Sequence, residues 1–108
     1  MFEAPVKHRE VFCLPLIGLI SLGKYLDTGL IKCVNVGGEM APKKDVRLIE
    51  YDWVKNLYLE AHERNIEFYF HQSGSMFIKD GKNIGKWNLK EQIKCAEEIQ
   101  HELEETYR

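Results

Sequence analysis

The sequence predicts an α/β fold with about three parallel strands. Three observations carry this. Short apolar runs read as strands buried on both faces, helical apolar periodicity recurs between and after them, and the two kinds of segment alternate. Such alternation in one sheet calls for right-handed βαβ units. The 108 residues fit one α/β domain spanning 1–108.

The first strand is expected over 11–17, from the run Val11-Phe12-Cys13-Leu14-Pro15-Leu16-Ile17. Pro15 has no N–H, so the strand ends near it or lies at an edge. Ser21 is the expected cap of a short helix over 21–27, ended by Thr28-Gly29. The second strand is expected over 31–36, alternating apolar and polar as far as Val36, and Gly37-Gly38 opens a loop to about Ile49.

Asp52 is the expected N-cap of a helix over 53–64, whose Val54, Leu57, Tyr58 and Ala61 form one apolar face, with Asn65 as the stop. The third strand is expected over 66–71 and runs into His71-Gln72-Ser73-Gly74. Asp80-Gly81, between Phe77-Ile78 and Ile84, signals a small hairpin. A long final helix is expected over 88–106, with Leu89, Ile93, Ala96, Ile99 and Leu103 as its apolar stripe.

Charge and cysteine usage narrow the function classes. A formal net charge of −2 shows no basic surplus, so no nucleic-acid partner is expected. The longest apolar stretch, Val11 to Leu22, is broken by Pro15 and Gly18 and is too short to cross a bilayer. Met1-Phe2-Glu3-Ala4-Pro5 lacks the basic start and apolar run of a signal peptide, so a cytoplasmic protein with reduced thiols is expected. Cys13, Cys33 and Cys95 are odd in number and far apart, which suits neither a disulfide framework nor a Cys-x-x-Cys metal site.

Ligands of parallel α/β proteins sit at the C-terminal ends of strands. Those ends nominate Gly37, Gly38, Glu39, Arg47, His71 and Gln72 as candidate ligand-binding residues. Gly37-Gly38 permits positive φ and offers N–H groups to an anion or carboxylate, and its commoner role is a tight turn. The spacing is not that of a dinucleotide-binding glycine motif. Glu39 and His71 would make a polar pocket, with Arg47 folding over it. The ordinary alternative for His71 is a strand-end imidazole bonded to backbone. One His and one Glu do not make a metal site, so no metal and no cofactor are expected. His62 and His101 fall on helices and read as solvated. Trp53, Tyr58 and Trp87 read as core or interface residues. No nucleophile with a matched base is evident, so catalytic residues stay unassigned.

Several motifs nevertheless occur in a familiar order. They are His8-Arg9-Glu10-Val11-Phe12-Cys13-Leu14-Pro15-Leu16, Val36-Gly37-Gly38-Glu39, Arg47 followed by Tyr51-Asp52-Trp53-Val54, Phe70-His71-Gln72-Ser73-Gly74, Phe77, and Lys79-Asp80-Gly81-Lys82. Over about Lys7 to Ala96 the chain resembles the C-terminal third to half of the phage Gp-thirty-seven/Gp-sixty-eight-like proteins. These are bacterial and phage proteins similar to radical S-adenosylmethionine barrels. The resemblance implies a β/α barrel whose N-terminal three-cysteine motif holds an iron–sulfur cluster. This sequence has no Cys-x-x-x-Cys-x-x-Cys run. It also carries Leu14 where relatives often have Glu, and Met40 where Ser usually follows Gly-Gly-Glu.

The resemblance therefore implies a noncatalytic remnant or partner module of such a barrel. One alternative is a subunit that completes a catalytic barrel with a separate cluster-bearing chain. Another is a small hydrolase or transferase using His71 and Glu39. The resemblance further implies that the α/β fold is a partial β/α barrel supplying the last strands, since a whole barrel needs about 250 residues. A three-strand piece leaves edges and a barrel-facing surface open, so a homo-oligomer or a barrel-completing partner chain is expected.

Overall fold

The apolar runs do become parallel strands, each shorter than the run that encodes it. The computed structural model describes residues 6–7, 10–14, 16, 18, 21–38 and 48–107. In chain order the elements are β1 (Val6–Lys7), β2 (Glu10–Cys13), α1 (Gly23–Leu26), β3 (Cys33–Val36), β4 (Ile49–Glu50), α2 (Tyr51–Glu63), β5 (Glu67–Phe70), β6 (Phe77–Lys79), β7 (Lys82–Asn83) and α3 (Leu89–Thr106). The main sheet has the order β1-β2-β3-β5. Strands β2, β3 and β5 are parallel, and β1 pairs antiparallel with β2. The fold is α/β with a three-stranded parallel sheet, and among the described residues that sheet is open.

Register divides the sheet into two unlike faces. Val11, Val34 and Phe68 lie side by side in one row, and Cys13, Val36 and Phe70 in the next. All six are buried in one core with Val54, Leu57, Tyr58 and Ala61 of α2 and Ala96, Ile99 and Leu103 of α3. Because strand side chains alternate, the remaining rows point the other way. They read Glu10, Cys33, Glu67 and Phe12, Asn35, Tyr69. The helices thus cover an aliphatic and aromatic face and leave a face rich in polar groups.

Several helix boundaries correct the expectations from sequence. Ser21 does not cap α1. Its Oγ donates to Glu60 Oε2 at 2.6 Å, and the N–H groups of Leu22 and Gly23 donate to the same carboxylate at 3.1 and 3.0 Å. A carboxylate from α2 therefore satisfies the orphan donors at the start of α1. Helix α2 begins at Tyr51 with Glu50 as N-cap and no side-chain cap bond, so Asp52 sits inside the first turn. There its charge complements the helix dipole instead of capping. Asn65 does end α2, at φ 55°.

The hairpin forms as expected. Asp80 and Gly81 both take positive φ, 52° and 77°, the requirement of a two-residue type I′ turn. Strand β6 also pairs in parallel with β4, giving a second sheet of order β4-β6-β7 that the sequence did not announce. Ile49 and Phe77 face each other there and are both buried.

Helix α3 matches its expected span, and Asn88 caps it by accepting from the Lys90 N–H at 2.8 Å. Its buried stripe is rotated, however. Gln92, Ala96, Ile99 and Leu103 point inward, whereas Leu89 and Ile93 are 44% and 39% exposed. Buried Gln92 donates its amide to the Lys86 carbonyl at 2.8 Å and so holds the segment leading into α3. That polar tie takes the inward position Leu89 and Ile93 were expected to share. Trp87, expected in a core or interface, is 54% exposed. Among the described residues no helix is long and apolar enough to cross a membrane.

Candidate functional site

The site begins with a polar residue inside an apolar strand. Asn35 lies in the middle strand β3 and is only 3% exposed. A buried carboxamide must find partners, because losing water without replacement costs about 1–3 kcal/mol. Asn35 finds them on both neighbouring strands. Its Nδ2 donates to Glu10 Oε1 at 3.0 Å and lies 3.4 Å from the Val11 carbonyl. Its Oδ1 is 2.7 Å from His71 Nε2. Glu10, Asn35 and His71 thus form a hydrogen-bonded row crossing all three parallel strands on the helix-free face.

This row sets the tautomer of His71. Asn35 uses its amide hydrogens on Glu10 and Val11, so its oxygen faces the imidazole and Nε2 must carry the proton. The neutral ring then presents Nδ1 as an acceptor. A carboxylate that polarises an amide, which in turn orients a histidine, is how proteins fix an imidazole for binding or proton transfer. Tyr69 flanks it, with ring centroids 6.2 Å apart. His71 also borders a groove of about 390 Å³ together with Tyr69, Phe70, Ile93 and Glu97.

The two glycines have a different role from the one their conformational freedom suggested. Neither appears among the glycines with positive φ. Gly37 N–H donates to the Cys13 carbonyl at 3.1 Å and Gly38 N–H to the Gln72 carbonyl at 2.9 Å. Both donors are consumed in ladder-like bonds, so the expected anion-binding N–H groups are not on offer. What demands glycine is close packing. A Cβ on Gly37 would overlap the Leu14 side chain, and one on Gly38 would overlap the Ser73 carbonyl. Gln72 joins this cluster, its Nε2 3.3 Å from the Gly38 carbonyl oxygen.

Of the candidate residues, Gly37, Gly38, His71 and Gln72 gather where β3 and β5 end. Glu39 and Arg47 lie outside the described residues. Among the described residues, the carboxylate that reaches the His71 network is Glu10, through Asn35. Sequence reasoning did not nominate this pair. The available signal was an asparagine in the strand expected over 31–36, a strand that a parallel sheet buries on both faces, followed by the question of which group pairs with it.

The cysteines do not suit a cluster. Register puts Cys13 on the helix-covered face and Cys33 on the opposite face, and Cys95 belongs to α3. Their side chains cannot converge on one iron–sulfur group. Burial also pushes the thiols of Cys13 and Cys33 up to about 11, which keeps both protonated near neutral pH. All three are free cysteines. Among the described residues, no group of three or more His, Cys, Asp or Glu side chains is placed to hold a metal ion.

No protein-family model matches the chain, and no curated protein or solved structure matches it.

Proposed function

We propose that the chain is a noncatalytic partner module of a radical S-adenosylmethionine-like β/α barrel, working in the cytoplasm and holding a small molecule against the helix-free face of its sheet. The observation behind this is the Glu10–Asn35–His71 row. It occupies the face that a barrel would turn inward, and His71 stands at the C-terminal end of its strand, where β/α proteins place ligands. A noncatalytic role accords with the state of the nearest thiol. Cys33 Sγ lies 3.6 Å from Asn35 Nδ2, but its raised pKa leaves almost no thiolate to act as a nucleophile.

The partner in this reading is a second copy of the chain or a separate polypeptide that supplies the rest of the barrel. Sedimentation equilibrium of the purified chain over a wide concentration range tests it, alone and after co-expression with a cluster-bearing chain. A stable dimer is the expected result, whereas a complex containing iron would favour a subunit that completes a catalytic barrel. A homogeneous monomer at every concentration, with no affinity for such a chain, would remove the partner role. His71 would then be a ligand group of a self-sufficient small domain.

A further inference from the structure

The outer edge of β5 is covered by a side chain. Gln100 of α3 lays its carboxamide along that edge. Phe70 N–H donates to Gln100 Oε1 at 2.7 Å, and Gln100 Nε2 donates to the Phe68 carbonyl at 2.8 Å. One donor and one acceptor, two residues apart on the strand, are met by one amide. The N–H and C=O of one residue of a parallel strand, placed opposite Tyr69, would make the same pair of bonds. The amide therefore marks a position where a backbone fits.

Two hollows flank this amide along the strand. One, of about 230 Å³, is bordered by His62, Ile66 and Glu67. The other, of about 390 Å³, is bordered by His71, Ile93 and Glu97. Both share Tyr69, Gln100 and Glu104. Among the described residues, neither hollow is lined by lysine or arginine, whereas Glu67, Glu97 and Glu104 line the pair. Tyr69 is 45% exposed, so its ring is open to a ligand.

We propose that the β5 edge takes an extended basic segment of a partner protein, added as a parallel strand, one residue of which replaces the Gln100 carboxamide with its own N–H and C=O. Strand addition draws affinity from main-chain hydrogen bonds and specificity from pockets for alternate side chains. Here the hollows offer carboxylates and a tyrosine ring, which suit lysine or arginine. Gln100 keeps the edge satisfied until that segment arrives, and so protects it from indiscriminate pairing. The proposal does not depend on the barrel reading, because an edge closed by a side chain can accept a strand in a free-standing domain as well.

The test is an NMR titration of the full chain with two synthetic hexapeptides, one alternating lysine with valine and the other glutamate with valine. The basic peptide is expected to shift the Phe68 and Phe70 amides and the Gln100 side-chain NH₂. Gln100→Ala removes the competing amide and tightens binding severalfold, by the logic of pre-organisation. The double variant Glu97→Lys, Glu104→Lys changes two exposed positions, leaves the core intact and weakens binding about tenfold or more. The proposal is overturned if neither the wild-type chain nor Gln100→Ala binds the basic peptide, if both peptides bind equally, or if the shifts map away from β5.

Discussion

Asn35→Leu removes the centre of the polar row and nearly preserves its volume. Three contacts are lost: His71 Nε2 to Oδ1 at 2.7 Å, Nδ2 to Glu10 Oε1 at 3.0 Å, and Nδ2 to the Val11 carbonyl at 3.4 Å. A neutral hydrogen bond contributes about 0.5–1.5 kcal/mol net, and one to a charged group about 1.5–3 kcal/mol. The bond at 3.4 Å is too long to add much. His71 is exposed and Glu10 half-buried, so both regain water when Asn35 is gone. The lower ends of those ranges apply, giving a loss of about 2 kcal/mol. Leucine buries additional apolar surface and offsets about 1 kcal/mol of it. The net loss is roughly 1 kcal/mol, or about 4–8 °C in Tm for a domain of this size. Denaturant unfolding of Asn35→Leu, His71→Ala and the double variant isolates the pair, with an expected coupling of about 1 kcal/mol. A coupling near zero together with unchanged stability would refute the claim that this row organises the helix-free face.

Three further outcomes follow from the same geometry. Gly38→Ala places a Cβ against the Ser73 backbone, which cannot rotate away, and is expected to destabilise by about 1–3 kcal/mol in thermal unfolding. Glu60→Gln weakens the charge-assisted bonds to Ser21, Leu22 and Gly23, so hydrogen exchange of the Leu22 and Gly23 amides should accelerate while the α3 amides keep their protection. Burial raises Cys13 from 9.0 to about 11, so the native state holds this proton more tightly than the unfolded chain does. That contribution is fully present below pH 9 and is lost as the pH climbs through 11, a fall of roughly 2–3 kcal/mol at about 1.4 kcal/mol per pKa unit. Urea unfolding at pH 8 and pH 10.5 measures it, and Cys13→Ala should flatten that part of the pH dependence.

The elements legible in the sequence were those set by local pattern. Apolar runs located β2, β3 and β5, periodicity located α2 and α3, and Asp80-Gly81 located the hairpin. What stayed hidden depends on partners distant in sequence. Glu60 caps α1 from 37 residues away, and no local signal distinguishes it from Glu63, the other glutamate of α2. Gln92 displaces Leu89 and Ile93 from the core because it ties down the Lys86 carbonyl, a role periodicity of apolar residues cannot register. At the site, His71 and Gln72 stand at the end of β5 as the strand boundaries indicated, and the side chain that bonds His71 is Asn35 of the neighbouring strand. Gly37 and Gly38 looked like ligand donors and serve instead as places where two strand ends approach closely. Asn35 resembled the polar half of an alternating strand, although burial of the whole strand made its polarity the informative feature.

Edge chemistry changes how an incomplete barrel should associate. Open strands invite pairing because their peptide groups lack partners. Here β1 pairs along the outer side of β2, and Gln100 satisfies Phe68 and Phe70 on the outer side of β5. Backbone demand at either edge is therefore weaker than a bare three-strand fragment would show. The helix-free face keeps its own incentive for association. It carries Phe12 and Tyr69 beside the Glu10–Asn35–His71 row, and a surface that mixes aromatic area with oriented polar groups resembles the centre of a specific interface more than a generic adhesive patch. Association through that face would bury His71 and enclose its Nδ1, whereas strand addition at β5 would leave the face open. The two modes are separable: Phe12→Ala should weaken a face-to-face dimer without altering capture of a basic peptide, and Gln100→Ala should tighten capture of the peptide without altering that dimer.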